Sequence, residues 1–194
     1  MFRKNEIIIL ASASPRRSEL MELAGIKFSV APSDINEEVL PYELPADHVT
    51  RLSKGKADAA AISTDGRFFV GADTVVVLDG TILGKPTGKT DASRMLRLLS
   101  GRQHEVITGF TVFDKINGIH ISKNVSTEVT FKSLNSSEIN AYIATGCPMD
   151  KAGAYAIQGR ALHFVRSIKG SYTNVVGLPM TELYEVLQAM KALG

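Results

Sequence analysis

The stretch IIILASASPRR, residues 7–17, decides the fold class. Ile7 to Ala11 is short, β-branched and wholly apolar, which suits a strand buried on both faces. In the polar loop that follows, Ser14 can cap a helix and Pro15 fits its first position. The predicted helix carries Leu20, Met21, Leu23 and Ala24 and stops at Gly25. Strand, polar loop and helix in that order predict an α/β architecture. The loop is also a place where free backbone N–H groups and the positive helix end favour an anion. Ser12, Ser14, Arg16 and Arg17 are therefore candidate phosphate ligands. The alternative is that Ser14 only caps and both arginines lie on a solvated first turn, although cations there oppose the helix dipole unless an anion visits.

Further along, Val49, Leu52, Ala57 and Ala60 recur at helical spacing and predict a helix over 46–63 with Pro45 before it. Lys56 lies seven residues after Val49 and four after Leu52, on the inward face, whereas Lys54 and Asp58 point elsewhere. An ammonium there wants an anionic partner; snorkelling along the helix edge is the alternative. The segment GADTVV, residues 71–76, places Asp73 and Thr74 at the entrance to an apolar strand, and Gly71 allows a close approach. A carboxylate in that position must be hydrated, paired or metal-bound.

Asp79-Gly80, between 74–78 and 81–83, and Asn117-Gly118, between 112–116 and 119–121, are hairpin dipeptides and predict tight antiparallel reversals. From Val125 to Phe131 apolar and polar residues alternate, the period of a half-exposed strand, so the sheet is predicted to be mixed. Helices are predicted over 91–100, 136–145 and 181–193. The segment GKPTGKT, residues 84–90, imitates a phosphate-binding P-loop but places three residues, not four, between Gly84 and the Gly88-Lys89 pair. Pro86 removes an N–H that such a loop needs, and the preceding segment reads as the second arm of a hairpin. Lys85 can still reach a phosphate from the hairpin end. Near the C-terminus, AGAYAIQG (152–159) and GSYTNVVGLP (170–179) are rich in glycine and small residues, suiting close approach to a ligand or simply tight packing. Gln158 has both an amide donor and an acceptor, matching the edge of a pyrimidine base.

Composition bounds the rest. The 194 residues, 44% of them apolar, suffice for one compact domain with a single core. Twenty-two basic against twenty acidic residues, with no long run of like charge, give no nucleic-acid stripe. A lone Cys147 forbids an internal disulfide, and the four histidines show no metal-ligand spacing. Met1 to Asn5 lead into an apolar run too short for a signal sequence or a membrane span, so the expected setting is cytosolic, with no membrane partner.

SASPRR, GADTVV, LGKP, MLRLLSG, PMDKAGAYAIQG and GSYTNVVGLP, taken in order, resemble the Maf family of nucleotide pyrophosphatases from end to end. The resemblance implies one domain over residues 1–194 with an α/β fold similar to the inosine triphosphate pyrophosphatases: an elongated mixed sheet flanked by helices, two lobes around a cleft. It implies cleavage of a nucleoside triphosphate to monophosphate and pyrophosphate with a divalent cation, Mg²⁺ or Mn²⁺. Asp73 would be proton acceptor or metal-associated carboxylate, and Glu37 the second acidic group at the metal, with Glu38 as alternative. Ser12, Arg16, Arg17, Lys56 and Lys85 would surround the triphosphate. The branch that takes dTTP and UTP resembles this chain at Arg16, Thr74 and Gln158, while the 7-methyl-GTP branch has a bulkier or acidic set. Similar proteins are often homodimers. The rival reading is a nucleotide-binding regulator of septum formation or cell division that does not turn over.

Overall fold

The computed structural model describes residues 7–193, so the N-terminal Met1 to Asn5 reading lies outside the described residues. Its strands are β1 (Ile8–Leu10), β2 (Phe28–Val30), β3 (Phe68–Leu78), β4 (Thr81–Leu83), β5 (Gln103–Asp114), β6 (Ile119–Phe131) and β7 (Val165–Lys169). Its α-helices are α1 (Pro15–Leu23), α2 (Pro45–Ser63), α3 (Lys89–Leu99), α4 (Ser136–Ala144), α5 (Tyr172–Val176) and α6 (Met180–Ala189). The strands form one seven-stranded sheet in the order β2-β1-β3-β5-β6-β7, with β4 pairing β3.

Strand β1, shorter than the run read from Ile7 to Ala11, is buried along its whole length and pairs in parallel with β2 on one side and β3 on the other, while Ile7 before it is exposed. The β3–β4 and β6–β7 pairs are antiparallel, which makes the sheet mixed. The alternation read between Val125 and Phe131 is present: Thr127, Val129 and Phe131 are buried, while Ser126 is exposed and Glu128 and Thr130 are half-buried. At Asp79-Gly80 both residues have positive φ, 49° and 76°, the two-residue reversal that matches strand twist.

The chain divides into two compact units. The first holds the chain up to Asp73, Thr108–Val125 and the stretch from Gly177. Its apolar centre joins Ile9, Ala11 and Phe69 to Ala57, Ala60 and Ala61 of α2. The second holds Thr74–Ile107 and Ser126–Val176. Its core packs Met95, Leu96 and Leu99 of α3 and Ile139, Tyr142 and Ile143 of α4 with Val76, Phe131 and Phe164.

Several expectations are corrected. Strand β3 begins at Phe68, so Asp73 lies within a strand rather than at its entrance; Phe68, Phe69 and Val70 are buried apolar residues that extend the ladder upstream. Ser14 sits at the N-cap of α1 without a side-chain cap bond, and its N–H donates instead to Ser12 Oγ at 3.2 Å. Of the apolar residues expected on α1, Leu20 and Met21 are buried, whereas Leu23 and Ala24 are exposed. Asn117-Gly118 is not a two-residue turn. Strand β5 stops at Asp114, whose carboxylate accepts from Arg67 Nε at 3.1 Å, from the N–H groups of Ile116 and Asn117 at 3.1 and 3.3 Å, and from Asn117 Nδ2 at 2.7 Å. That capture opens the reversal to residues 115–118. Helix α6 ends at Ala189, closed by Lys191 at φ 55°, with the Lys191 and Ala192 N–H groups returning to the carbonyls of Gln188 and Leu187.

His104 is among the buried polar residues of the second unit. His104 packs edge-on against Phe131 and Tyr155, with ring centroids 4.9 and 5.4 Å away, and its Nε2 meets the Tyr155 hydroxyl at 2.7 Å. Burial pushes the imidazole down to about 4. The folded protein therefore holds it neutral where the unfolded chain, titrating at about 6.5, takes up a proton. The stabilisation is complete above that unfolded value and is lost as pH falls toward the folded one, up to about 3 kcal/mol. We predict that urea unfolding of the wild type shows this decline between about pH 6.5 and 4, and that His104→Gln flattens it. An equal acid-side slope in both proteins would show that His104 is not its source.

Candidate active site

Two glycines on adjacent strands set the depth of α2. A Cβ added at Gly71 of β3 would lie 2.1 Å from the Ser53 carbonyl oxygen and 2.7 Å from the Ala57 nitrogen. One added at Gly109 of β5 would lie 2.5 Å from the Val49 carbonyl oxygen. Helix backbone thus rests directly on strand backbone, a contact closer than any side chain allows. Hydroxyls fix the same approach: Ser53 Oγ meets Thr111 Oγ1 of β5 at 2.9 Å, and Thr111 Oγ1 meets Ser122 Oγ of β6 at 2.8 Å.

This proximity brings Lys56 onto β3. Its Nζ lies 2.7 Å from Asp73 Oδ1 and 2.7 Å from Glu37 Oε1, with the lysine and aspartate side chains only 10% and 12% exposed and the glutamate 45%. The snorkelling alternative is thereby excluded, while Lys54 pairs with Asp58 at 2.9 Å on the exposed side as read. Glu37, not Glu38, reaches the lysine. Glu38 instead closes a local turn, its N–H donating to Asn36 Oδ1 at 2.9 Å while its carboxylate accepts from Asn36 Nδ2 at 3.3 Å.

The first turn of α1 supplies a further cation. Arg17 is buried, donating from Nε to the Gly177 carbonyl at 2.8 Å and from Nη1 to Ser12 Oγ at 3.0 Å. A solvated first turn is therefore excluded for Arg17; Arg16 and Ser14 are half-buried. Burial lowers the Arg17 guanidinium below its ordinary value, Arg16 lowers it further, and the charges of Asp73 and Glu37 oppose the shift. Ser12, Arg17, Glu37, Lys56 and Asp73 thus form one cluster in the first unit. Thr74, half-buried, Lys85, exposed two residues beyond β4, and Gln158, half-buried before the short 3₁₀ helix Gly159–Phe164, belong to the second. Of the C-terminal glycines, Gly153 and Gly170 are packing positions, since an added Cβ would meet Val76 and Thr127 at 2.9 Å.

No group of three or more His, Cys, Asp or Glu side chains able to hold a metal occurs among the described residues. Asp73 and Glu37 are nevertheless hard oxygen donors drawn to one ammonium, and Mg²⁺ commonly uses one or two carboxylates, completing its shell with water and substrate phosphates. The donor set fits such an ion. The P-loop imitation is confirmed as a decoy: Leu83 ends an antiparallel arm, and the Gly84 carbonyl accepts from the Gly153 N–H at 3.0 Å.

Sequence reasoning missed Glu43, His48 and Arg51, which interlock beside the Glu37 segment. Arg51 Nε and Nη2 donate to Glu43 Oε1 and Oε2 at 2.5 and 2.8 Å, and His48 Nδ1 lies 2.9 Å from Glu43 Oε2. The one available signal was Leu44-Pro45 at the helix start, which puts Glu43 within reach of the first turns of α2.

An α/β protein with a lysine-bridged carboxylate pair beneath an arginine-bearing helix start is the class that fold and site define. Its fold is similar to that of the Staphylococcus aureus Ham1 protein, at 11% identity and a TM-score of 0.53 over 95% of this chain and 100% of that one. The family model described as Maf-like protein matches residues 7–190, and the chain belongs to that family. It is 60% identical over 191 residues to a protein of Geobacter sp. named dTTP/UTP pyrophosphatase, covering 98% of this chain and 99% of the relative. It is 54% identical over 193 residues to one of the same name in Geotalea uraniireducens, covering 100% of both.

Gly71→Ala tests the contact that assembles the cluster. The new methyl must push α2 off β3, and we predict a loss of about 1–3 kcal/mol or more in urea unfolding, as overpacking of a well-filled core costs. Wild-type stability in that variant would show that the two backbones have room to spare.

Proposed function

We propose that this chain is a nucleoside triphosphate pyrophosphatase that cleaves dTTP and UTP to the monophosphate and pyrophosphate. The observation that carries the reading is Lys56, buried on α2 and bridging Glu37 and Asp73 in the same cluster as Arg17. The curated relatives named dTTP/UTP pyrophosphatase over their full length support the substrate.

In this reading Asp73 and Glu37 hold a divalent cation, Mg²⁺ or Mn²⁺, which when bound neutralises phosphate charge and polarises a phosphoryl oxygen. Asp73 orients a water and accepts its proton as the water oxygen bonds to the α-phosphorus. The bridging P–O bond between the α- and β-phosphates breaks, and pyrophosphate leaves with that oxygen. Arg17 and Lys56, preset by their partners, match the negative charge that grows on the transferring phosphoryl oxygens. Ser12, Ser14, Arg16 and Lys85 bind phosphate oxygens, and Thr74 and Gln158 read the base. A single catalytic domain over the whole chain, a cytosolic setting and a homodimer belong to the same proposal. No helix among the described residues is long and apolar enough to cross a membrane.

The test is incubation with Mg²⁺ or Mn²⁺ and dTTP, UTP, CTP, GTP and 7-methyl-GTP, with both products identified chromatographically. Monophosphate plus pyrophosphate, fastest from dTTP or UTP, is the expected result. Preference for 7-methyl-GTP would overturn the base assignment, orthophosphate release would indicate another reaction, and no turnover across the panel would leave a nucleotide-binding regulator. Asp73→Asn keeps the shape and removes the base, so kcat should fall at least about a hundredfold while nucleotide binding persists. Near-normal turnover in that variant would refute the role given to Asp73.

A further inference from the structure

Glu37 is half-exposed in a segment, residues 31–44, that contains no strand or helix, so the sheet and the helix ladders do not fix where its carboxylate points. We infer that Arg51 and Glu43 are positioning residues that clamp this segment to α2 and hold Glu37 at Lys56; the inference rests on the catalytic reading of Glu37 above. Arg51 uses two edges of its guanidinium. Nε and Nη2 grip the Glu43 carboxylate, and Nη2 also donates at 2.9 Å to the carbonyl of Glu38, the residue that follows Glu37. Glu43 in turn accepts from the Leu40 N–H at 3.1 Å, and its own N–H donates to the Leu40 carbonyl at 3.1 Å. His48 on the first turn of α2 closes the other side of the same carboxylate.

The Glu43 side chain is 8% exposed, and the hydrogen bonds from Arg51 above all, despite the opposing effect of burial, hold its carboxyl well below the ordinary carboxylate range. The clamp therefore stays charged wherever the enzyme is folded in neutral or mildly acidic solution. Arg51 and Lys56 sit on one rigid helix, so the guanidinium that fixes the backbone after Glu37 and the ammonium that receives its carboxylate keep a set separation. A lysine at position 51 could reach one of these acceptors but lacks the planar fork that grips the carboxylate and the carbonyl together.

A double-mutant cycle on the full chain tests the inference, pairing Arg51→Met with Glu37→Gln, with kcat and KM for dTTP measured in each protein. Arg51→Met alone should lower kcat/KM about ten- to a hundredfold, as loss of an outer-shell partner does, and should cost little more when Glu37→Gln is already present. Amide hydrogen exchange provides a second readout that does not depend on turnover: exchange across 36–44 should quicken in Arg51→Met while the second half of α2 is unchanged. Equal activity losses in both Glu37 backgrounds, or unchanged exchange across 36–44, would overturn the clamp. Where Arg51→Met does not fold, Arg51→Lys carries both measurements with the same expected and contrary results. Absence of turnover in the wild type would sink the proposed function instead, with exchange still reporting on the clamp. A fully active Glu37→Gln would remove the role assigned to Glu37, and with it this inference.

Discussion

The backbone-to-backbone contact of α2 with β3 and β5 is the constraint on which the candidate site depends. With any side chain at Gly71 or Gly109 the helix would stand farther from the sheet, and Lys56 would lose its reach to Asp73. The hydroxyl chain from Ser53 through Thr111 to Ser122 fastens the helix at that depth with bonds that a shifted helix could not make. Buried ion pairs add little to stability, because removing both charges from water offsets most of their attraction. Two carboxylates around one ammonium are better explained by the chemistry they prepare than by the fold they hold.

Charge balance in the cluster points the same way. Glu37 and Asp73 carry two negative charges, answered by Lys56 and Arg17, while Arg16 stands at the half-buried edge. A site so balanced can receive a cation on its carboxylates and an anion on its basic groups without leaving a buried charge unanswered. That is the demand made by a metal-bound triphosphate. Arg17 is restrained by bonds to Ser12 Oγ and the Gly177 carbonyl, so little side-chain freedom would be lost if an anion bound there.

Where local pattern and tertiary packing agree, the sequence is readable. IIIL announces a doubly covered strand, Lys56 falls inward by helical spacing, and Asp79-Gly80 turns as its dihedral preferences dictate. The failures have separate causes. Strands β2 and β7 are short and mostly exposed or half-buried, so neither shows a period. Asn117 is drawn to Asp114, a partner decided by the position of Arg67 across the sheet, and this outweighs the turn propensity of Asn-Gly. The Arg51–Glu43 interlock crosses from an irregular segment to a helix, where neither spacing of three or four nor alternation applies. Only family resemblance pairs Asp73 with Glu37, because the 35 residues between them contain nothing local that predicts their meeting at Lys56.

The bond from Arg17 to the Gly177 carbonyl joins residues 160 positions apart. In the order of synthesis the arginine precedes its acceptor by the whole of that span. The first unit, which needs both segments, is thus finished after Thr74–Ile107 and Ser126–Val176 have already been made. A nascent chain interrupted before Gly177 contains every residue of the Glu37–Lys56–Asp73 triad but lacks the carbonyl that restrains its neighbouring arginine. The segment from Gly177 is therefore required to complete the unit begun first, although all of the second unit's residues precede it in the chain.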